Sequence, residues 1–209
     1  QAAAAGGARD GAGVATVVCR IAGVSAGLMG RGVCDAVVGG LCEGLVGRAV
    51  RVMSGLAPGV SEDRLKALGA ASASTGSVGM FHMVGSTPEA PTLEAALAGH
   101  RPVEEVTVTA ADLRGARDRL STTTSDDLRT VSLGTPHYSV SEIGRLVELL
   151  GGRRVGDGVA FFVSTGRDVL HEVELRGLAG RLADAGVTMV TDTCTYFPPL
   201  IQDLSLIPL

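Results

Sequence analysis

The sequence predicts an α/β fold: a three-layer α/β/α arrangement with a mainly parallel sheet. Two observations carry the class. Short apolar runs rich in Val, Ile and Phe alternate with helical patterns, as strands buried on both faces do. The last third then repeats strand, polar loop and helix, the order that parallel strands with crossover helices require. In such sheets the loops at the strands' carboxyl ends gather into one crevice, and the polar residues of this chain fall in those loops.

Residues 1–13 are rich in Ala and Gly and read as a flexible segment ahead of a region spanning 14–209, with a sub-boundary near 110–130. Gly11-Ala12-Gly13 invites a dinucleotide-loop reading, but Thr16 stands where the third glycine belongs and no strand precedes it. Ala15–Ile21 reads as a strand. Gly30–Gly47 is apolar and punctuated by glycine, which suits helix or turn. Val50–Met53 reads as a strand entering the loop Gly55–Gly59. Ser61 is placed to cap a helix running to about Ala73, with Glu62 and Asp63 at the positive end of its dipole. Ser74-Thr75-Gly76-Ser77 then turns the chain into a buried strand over Val78–Val84. In the loop Gly85–Ala90, Thr87 is placed to cap a helix beginning at Pro88.

Glu105–Thr109 alternates like a strand, Ala111–Leu120 reads as a charged helix, and Ser121–Asp127 is a polar loop. Thr130–Leu133 is a short strand followed by Gly134-Thr135-Pro136-His137-Tyr138-Ser139. An amphipathic helix follows through Ile143, Leu146, Val147 and Leu150, and Gly151-Gly152 stops it. Val159–Val163 is a strand leading through Ser164-Thr165-Gly166-Arg167 into a helix. Val187–Val190 is a strand leading into Thr191-Asp192-Thr193-Cys194.

Composition bounds the function. With 209 residues, 45% hydrophobic and 19% charged, the chain can bury a core and is not a disordered tail. The 30 glycines, against 3% aromatics, imply tight backbone approaches and short turns. A net charge of −4 with scattered arginines argues against a nucleic-acid partner, which needs a clustered positive face. The most apolar stretch, Val14 to Val50, is interrupted by Arg20, Arg31, Asp35, Glu43 and Arg48. It therefore lacks the roughly 18–20 apolar residues of a membrane helix. No charged and then apolar leader opens the chain, and it begins at Gln1, which suits a processed product or an internal fragment. The four cysteines do not resemble a disulfide framework, so a reduced, cytoplasmic setting is expected.

Several polar residues can carry chemistry, each with a plainer alternative. Cys194 follows a strand beside Asp192 and Thr193; it can ligate iron, act as a nucleophile, or be a buried structural thiol. Cys19, Cys34 and Cys42 lack CxxC spacing and read as packing residues. His137 can orient a substrate, transfer a proton, or simply bond to backbone. Ser139 and Glu142 have capping-box spacing, for which a cap is the leading explanation and catalysis by Glu142 secondary; Ser86 and Glu89 share the spacing, and Glu89 reads as a simple cap. His82 sits on an apolar strand face, Lys66 on a helix where it would ordinarily be solvated, and Arg167 near a strand end, where it can clamp a carboxylate or form a surface ion pair.

Four segments together resemble the aconitase X family. They are Leu65–Ala71 with Ser74-Thr75-Gly76-Ser77; Phe81–Ala90 (FHMVGSTPEA); Leu133-Gly134-Thr135-Pro136-His137-Tyr138-Ser139 with Glu142; and Asp192-Thr193-Cys194-Thr195-Tyr196. The resemblance runs from about Met53 to Tyr196 and covers the later half of the family's large catalytic region. It implies a hydro-lyase of a small hydroxy acid, either cis-3-hydroxy-L-proline, giving pyrroline-2-carboxylate, or phosphomevalonate. It also implies an iron–sulfur cluster with Cys194 as a ligand. Some relatives carry Cys where Thr135 stands here, which favours the bacterial, two-iron two-sulfur kind. Lys66 and His137 are then the catalytic candidates. Ser74, Thr75, Ser77, His82 and Ser139 would line the pocket, and Arg167 would hold the carboxylate. The base is left open. The implied partners are an earlier catalytic half and a small swivelling domain, fused or separate. Two other readings stand beside this one: a non-catalytic α/β binding module derived from a hydro-lyase half, and a cluster-free enzyme using Cys194 as nucleophile.

Overall fold

A computed structural model describes residues 15–23, 49–76, 78–121, 124–125 and 127–193. The predicted strand β1 forms over Thr16–Ala22, where Val17, Cys19 and Ile21 face one core and Val18 is buried on the other face. Burial on both faces is why this strand reads as a continuous apolar run. β2 (Val50–Ser54), β3 (Phe81–Met83) and β4 (Glu104–Thr109) join it in parallel, in the order β3-β2-β1-β4. The register sets Cys19 beside Met53 and Val106, and Met53 beside Met83, so one face presents a continuous apolar row. Helix α1 (Glu62–Gly76) lays Leu65 and Leu68 on this core. After β3 comes the short helix α2 (Leu93–Leu97), and after β4 comes α3 (Ala110–Leu120), which adds Leu113 and Ala116 to the core.

A second parallel sheet has the order β5-β6-β7, from Thr130–Tyr138, Ala160–Thr165 and Val187–Thr191. Its core is mostly helical. α4 (Val140–Leu150) contributes Ile143, Leu146 and Val147, α5 (Arg167–Leu175) contributes Val173, and α6 (Leu178–Asp184) contributes Leu182. The α/β class with parallel strands is thus borne out, with the strands divided between two sheets that have separate cores. Among the described residues, no helix is long and apolar enough to cross a membrane. Residues 1–13, including Gly11 and Gly13, and the Gly30–Gly47 stretch lie outside the described residues.

Several local expectations are corrected. α1 does not end at Ala73 but continues through Ser74, Thr75 and Gly76. Ser74 donates its hydroxyl back to the Ala71 carbonyl at 3.0 Å, which satisfies it inside the helix. Val78 bonds to the Ser72 carbonyl instead of opening a strand, so β3 is only three residues long. Thr87 caps no helix; its hydroxyl oxygen accepts from the Met83 N–H at 3.0 Å and closes a tight turn. The helix starts later, where Thr92 accepts from the Ala95 N–H. Ser86 accepts from the Val60 N–H at 3.1 Å and does not cap with Glu89. One capping box escaped the sequence reading: Thr109 and Asp112 at the start of α3. The stretch after β6 is two helices, because Gly177 takes a left-handed conformation between them.

Candidate functional site

The strand β5 does not stop at Leu133 as expected; it carries the following loop within it. Leu133 pairs with Val163, and the next register pair is Tyr138 with Thr165. Five steps along β5 therefore match two along β6, and the intervening residues bulge from the ladder. Bulges of this kind re-aim side chains beside functional sites. Gly134 makes the bulge possible. Its φ is +98°, and a Cβ there would sit 2.1 Å from the Ser164 carbonyl oxygen. The Thr135–Pro136 bond is cis. Thr165 then donates its hydroxyl to the Tyr138 carbonyl at 2.7 Å and closes the bulge. His137 is left exposed on its rim.

A charged network ties this rim to α1 of the other sheet. Lys66 Nζ lies 2.6 Å from Glu142 Oε2, 2.8 Å from the His137 carbonyl oxygen and 3.3 Å from Asp63 Oδ1. An ammonium has three N–H donors, and here each has an acceptor. Glu142 Oε2 also accepts the Ser139 N–H at 2.9 Å, completing the predicted capping box of α4. Ser141 donates to Asp63 Oδ2 at 2.6 Å. Its oxygen is then the acceptor in the 2.8 Å contact with Ser139 Oγ, which in turn accepts the Glu142 N–H. Burial works to raise the Asp63 pKa, but the hydrogen bonds from Ser141 and Ser139 and the charge and hydrogen bond of Lys66 outweigh it. The carboxyl is held below its ordinary range.

Beside this network stand His137, Arg167 and Asp192, at the carboxyl ends of β5, β6 and β7. His137 Nε2 lies 2.9 Å from the Thr193 carbonyl oxygen. A carbonyl only accepts, so Nε2 carries the hydrogen and Nδ1 is the basic nitrogen of the neutral ring. Asp192 has a left-handed backbone at φ +53°, which short polar side chains tolerate. Its carboxylate takes Arg167 Nε at 2.5 Å and the Arg167 N–H at 3.3 Å. Asp192 thereby caps α5, whose own N-cap residue, Gly166, has no side chain to do so. The Arg167 hydrogen bond is the largest influence on the Asp192 carboxyl. With the charges of Arg167 and His137 it holds the pKa below the ordinary range against the pull of burial.

The structure brings together Lys66, His137, Ser139 and Arg167 among the expected site residues. It leaves Ser74 and His82 apart. Ser74 and Thr75 lie in the last turns of α1, and Ser74 is about 12 Å along the axis from Lys66. His82 is in the middle of β3, level with Val52 on the sheet face opposite Met53 and Met83. Among the described residues, no hydrogen bond or ion pair joins Ser74 or His82 to the network. Ser77, Cys194, Cys34 and Cys42 lie outside the described residues. Cys19 is fully buried in the first core, as a packing residue would be. Iron–sulfur clusters are held by thiolates, and the described residues do not supply such a set: no three His, Cys, Asp or Glu among them could hold a metal ion. Sequence reasoning placed Asp63 at a helix end, read Glu142 first as a cap with catalysis secondary, and gave Ser141 and Asp192 no role of their own. The capping spacings at Ser61–Asp63 and Ser139–Glu142 were the available signals.

Comparison with known proteins places these elements in a wider frame. The family models "Aconitase X second domain" and "Aconitase X third domain" match residues 15–118 and 128–207. The chain is 40% identical over 132 residues to a cis-3-hydroxy-L-proline dehydratase of Pseudomonas aeruginosa, covering 63% of this chain and 23% of that protein. It is 38% identical over 144 residues to a phosphomevalonate dehydratase large subunit of Methanothermobacter thermautotrophicus, covering 69% of this chain and 34% of that protein. The crystal structure of Thermococcus kodakaraensis aconitase X in its holo-form superposes with a TM-score of 0.71 at 26% identity, over 87% of this chain and 44% of that one. The chain thus spans 23% of the length of the first of these relatives and 34% of the second.

Proposed function

The chain belongs to the aconitase X family, and on that premise we propose that it forms part of a hydro-lyase that removes water from cis-3-hydroxy-L-proline to give pyrroline-2-carboxylate. One observation carries the reading. Three segments that resemble the family in sequence, around Lys66, His137 and Asp192, meet at one corner although Lys66 and His137 are 71 residues apart. The active enzyme is taken to include an earlier catalytic half and a small swivelling domain, fused or separate, and to work in the cytoplasm. Residues 14–209 would form the later part of its catalytic region, divided near 110–130.

Elimination of water needs a proton removed alpha to the carboxylate and a hydroxyl released from the neighbouring carbon. His137 Nδ1 is the atom of this corner left to accept a proton, since Nε2 is engaged by the Thr193 carbonyl. The Arg167 guanidinium keeps its terminal nitrogens for the substrate carboxylate, since Asp192 engages its Nε and backbone. Ser139 stands at the same rim, Ser74 and His82 would contact substrate only where it extends beyond this corner, and Thr75 and Ser77 are assigned to the pocket on the resemblance alone. The resemblance implies an iron–sulfur cluster, two-iron two-sulfur in kind, with Cys194 as one thiolate ligand. Cys194→Ala in the full-length protein should then lower bound iron, and an unchanged iron content would refute the ligand role.

Hydroxyproline is favoured over phosphomevalonate by the α5 N-terminus. That helix end is the corner's ready anion seat, and Asp192 already fills it. The test is a dehydration assay of the full-length protein with both substrates. Turnover of cis-3-hydroxy-L-proline supports the reading. Turnover of phosphomevalonate alone replaces the substrate, and turnover of neither favours the binding-module reading.

A further inference from the structure

We propose that Lys66 is a positioning residue: anchored by Glu142 and Asp63, its ammonium clamps the His137 carbonyl from the helix of the other sheet and so sets where the His137 ring stands. This rests on the reading of His137 as the proton-handling group, and it changes the role of Lys66 within that reading. All three N–H groups of Lys66 are engaged, at 2.6, 2.8 and 3.3 Å, so the ammonium has no donor left to offer a substrate. What it does hold is a residue that would otherwise be loose. His137 is exposed and lies on a bulge that the β5–β6 ladder skips. It is fastened at two points: its carbonyl by Lys66 at 2.8 Å, and its Nε2 by the Thr193 carbonyl at 2.9 Å. Removing the first frees the backbone to rotate about the second.

Glu142 makes the clamp stiff. One oxygen, Oε2, accepts both the Lys66 ammonium and the Ser139 N–H, so the start of α4 and the tip of α1 share a single charge. The Ser139, Ser141 and Asp63 relay closes the ring from the other side. Lys66 and Glu142 are each about one-third to one-quarter exposed, at 31% and 25%, so the pair is neither stripped of water nor fully screened. α1 is packed on the first core through Leu68, and His137 belongs to the second sheet. The clamp therefore transmits the relative placement of the two sheets to one imidazole.

The test uses the full-length protein carrying Lys66→Met and Lys66→Arg, with two readouts. The first is the NMR signal of the His137 ring, assigned by its loss in His137→Gln. The second is kcat and KM for cis-3-hydroxy-L-proline. The methionine variant keeps the apolar stem, and it should shift the His137 signal while kcat falls about 100-fold, the order expected for a misplaced catalytic group. KM should change little. Arginine can still reach both acceptors, so it should restore part of both readouts. An unmoved His137 signal in Lys66→Met overturns the proposal, whatever the activity. So does a moved signal with unchanged kcat, because the clamp would then be structural only. Equal inactivity of both variants with an unmoved ring would make Lys66 a direct participant. Should the wild type fail to dehydrate hydroxyproline, the functional reading falls, and the NMR comparison alone decides the clamp. Should Lys66→Met fail to fold, Glu142→Gln keeps the Ser139 cap, removes the charge, and must still move the His137 signal.

Discussion

Strands β1 and β5 are both parallel, yet they do opposite work. β1 pairs without a break, from Thr16 to Arg20 against β2 and from Val17 to Ala22 against β4. Every residue in it is committed to a ladder, and the strand presents almost nothing reactive. β5 breaks its register after Leu133 and resumes it at Tyr138, and the residues that the ladder skips carry His137 outward. Regular pairing builds the platform; interrupted pairing exposes a side chain. The interruption holds because a few fixed contacts replace the missing ladder: Gly134 against Ser164, Thr165 on Tyr138, and Lys66 on the His137 carbonyl.

The comparison can be broken first at the two cores. Leu68→Ala in the first and Ile143→Ala in the second, each almost fully buried, should each cost about 2–5 kcal/mol in chemical denaturation. The clusters share no residue, so the double variant should be additive within about 0.5 kcal/mol. A larger coupling would mean that the two sheets fold as one packed unit.

The two close-approach glycines sharpen it next. Gly55→Ala would drive a Cβ to 2.2 Å from the Ile21 carbonyl oxygen beneath β1, and Gly134→Ala to 2.1 Å from that of Ser164, both at positive φ. Each should destabilise by about 2–3 kcal/mol. Only Gly134→Ala should disturb the His137 ring signal. If Gly55→Ala disturbs it equally, the bulge is not what aims His137.

Smaller effects test the ends of the helices. Thr109→Ala and Ser139→Ala remove the two complete capping boxes, one on each sheet's side, and each should cost about 1 kcal/mol in thermal unfolding. Ser139→Ala should cost more than Thr109→Ala, because its hydroxyl links through Ser141 to Asp63 on another helix, whereas the second bond of the Thr109 hydroxyl stays within its own helix start, on Asp112. Equal losses would place the Ser141 relay outside the stability of the junction.

The smallest effect is acid dependence. The Asp63 carboxyl is depressed in the folded chain. Its contribution to stability is therefore fully present above the ordinary aspartate value of about 3.9 and is lost as pH falls through the lower folded value. Asp63→Asn should lose that contribution at neutral pH, match the wild type in strong acid, and so flatten the acid unfolding profile. An unchanged acid profile would overturn the assignment to Asp63.

What was legible before folding was short-range. The capping box of Ser139 and Glu142, the stop at Gly151-Gly152 and the apolar stripe of α4 all act within about four residues, and each stands as read. Local signals misled where a side chain found a second partner. Ser74 looked like a turn residue until its hydroxyl folded back on Ala71, and Thr87 looked like a cap until it closed a turn on Met83. The family resemblance singled out Lys66 and His137 without showing that they touch, and Asp192 carried no assigned role at all.

The amino-acid order by itself determined the α/β class, the placement of most strands and helices, and the residue types available for chemistry. Hydrophobic period, capping and glycine chemistry are local and need no partner to be read. The tertiary structure alone decided the division of strands into two sheets, the bulge in β5 and the meeting of Lys66 with Glu142 across 76 positions. Strand register and charge pairing at that separation depend on which surfaces the two cores bury, and no window of neighbouring residues contains that information.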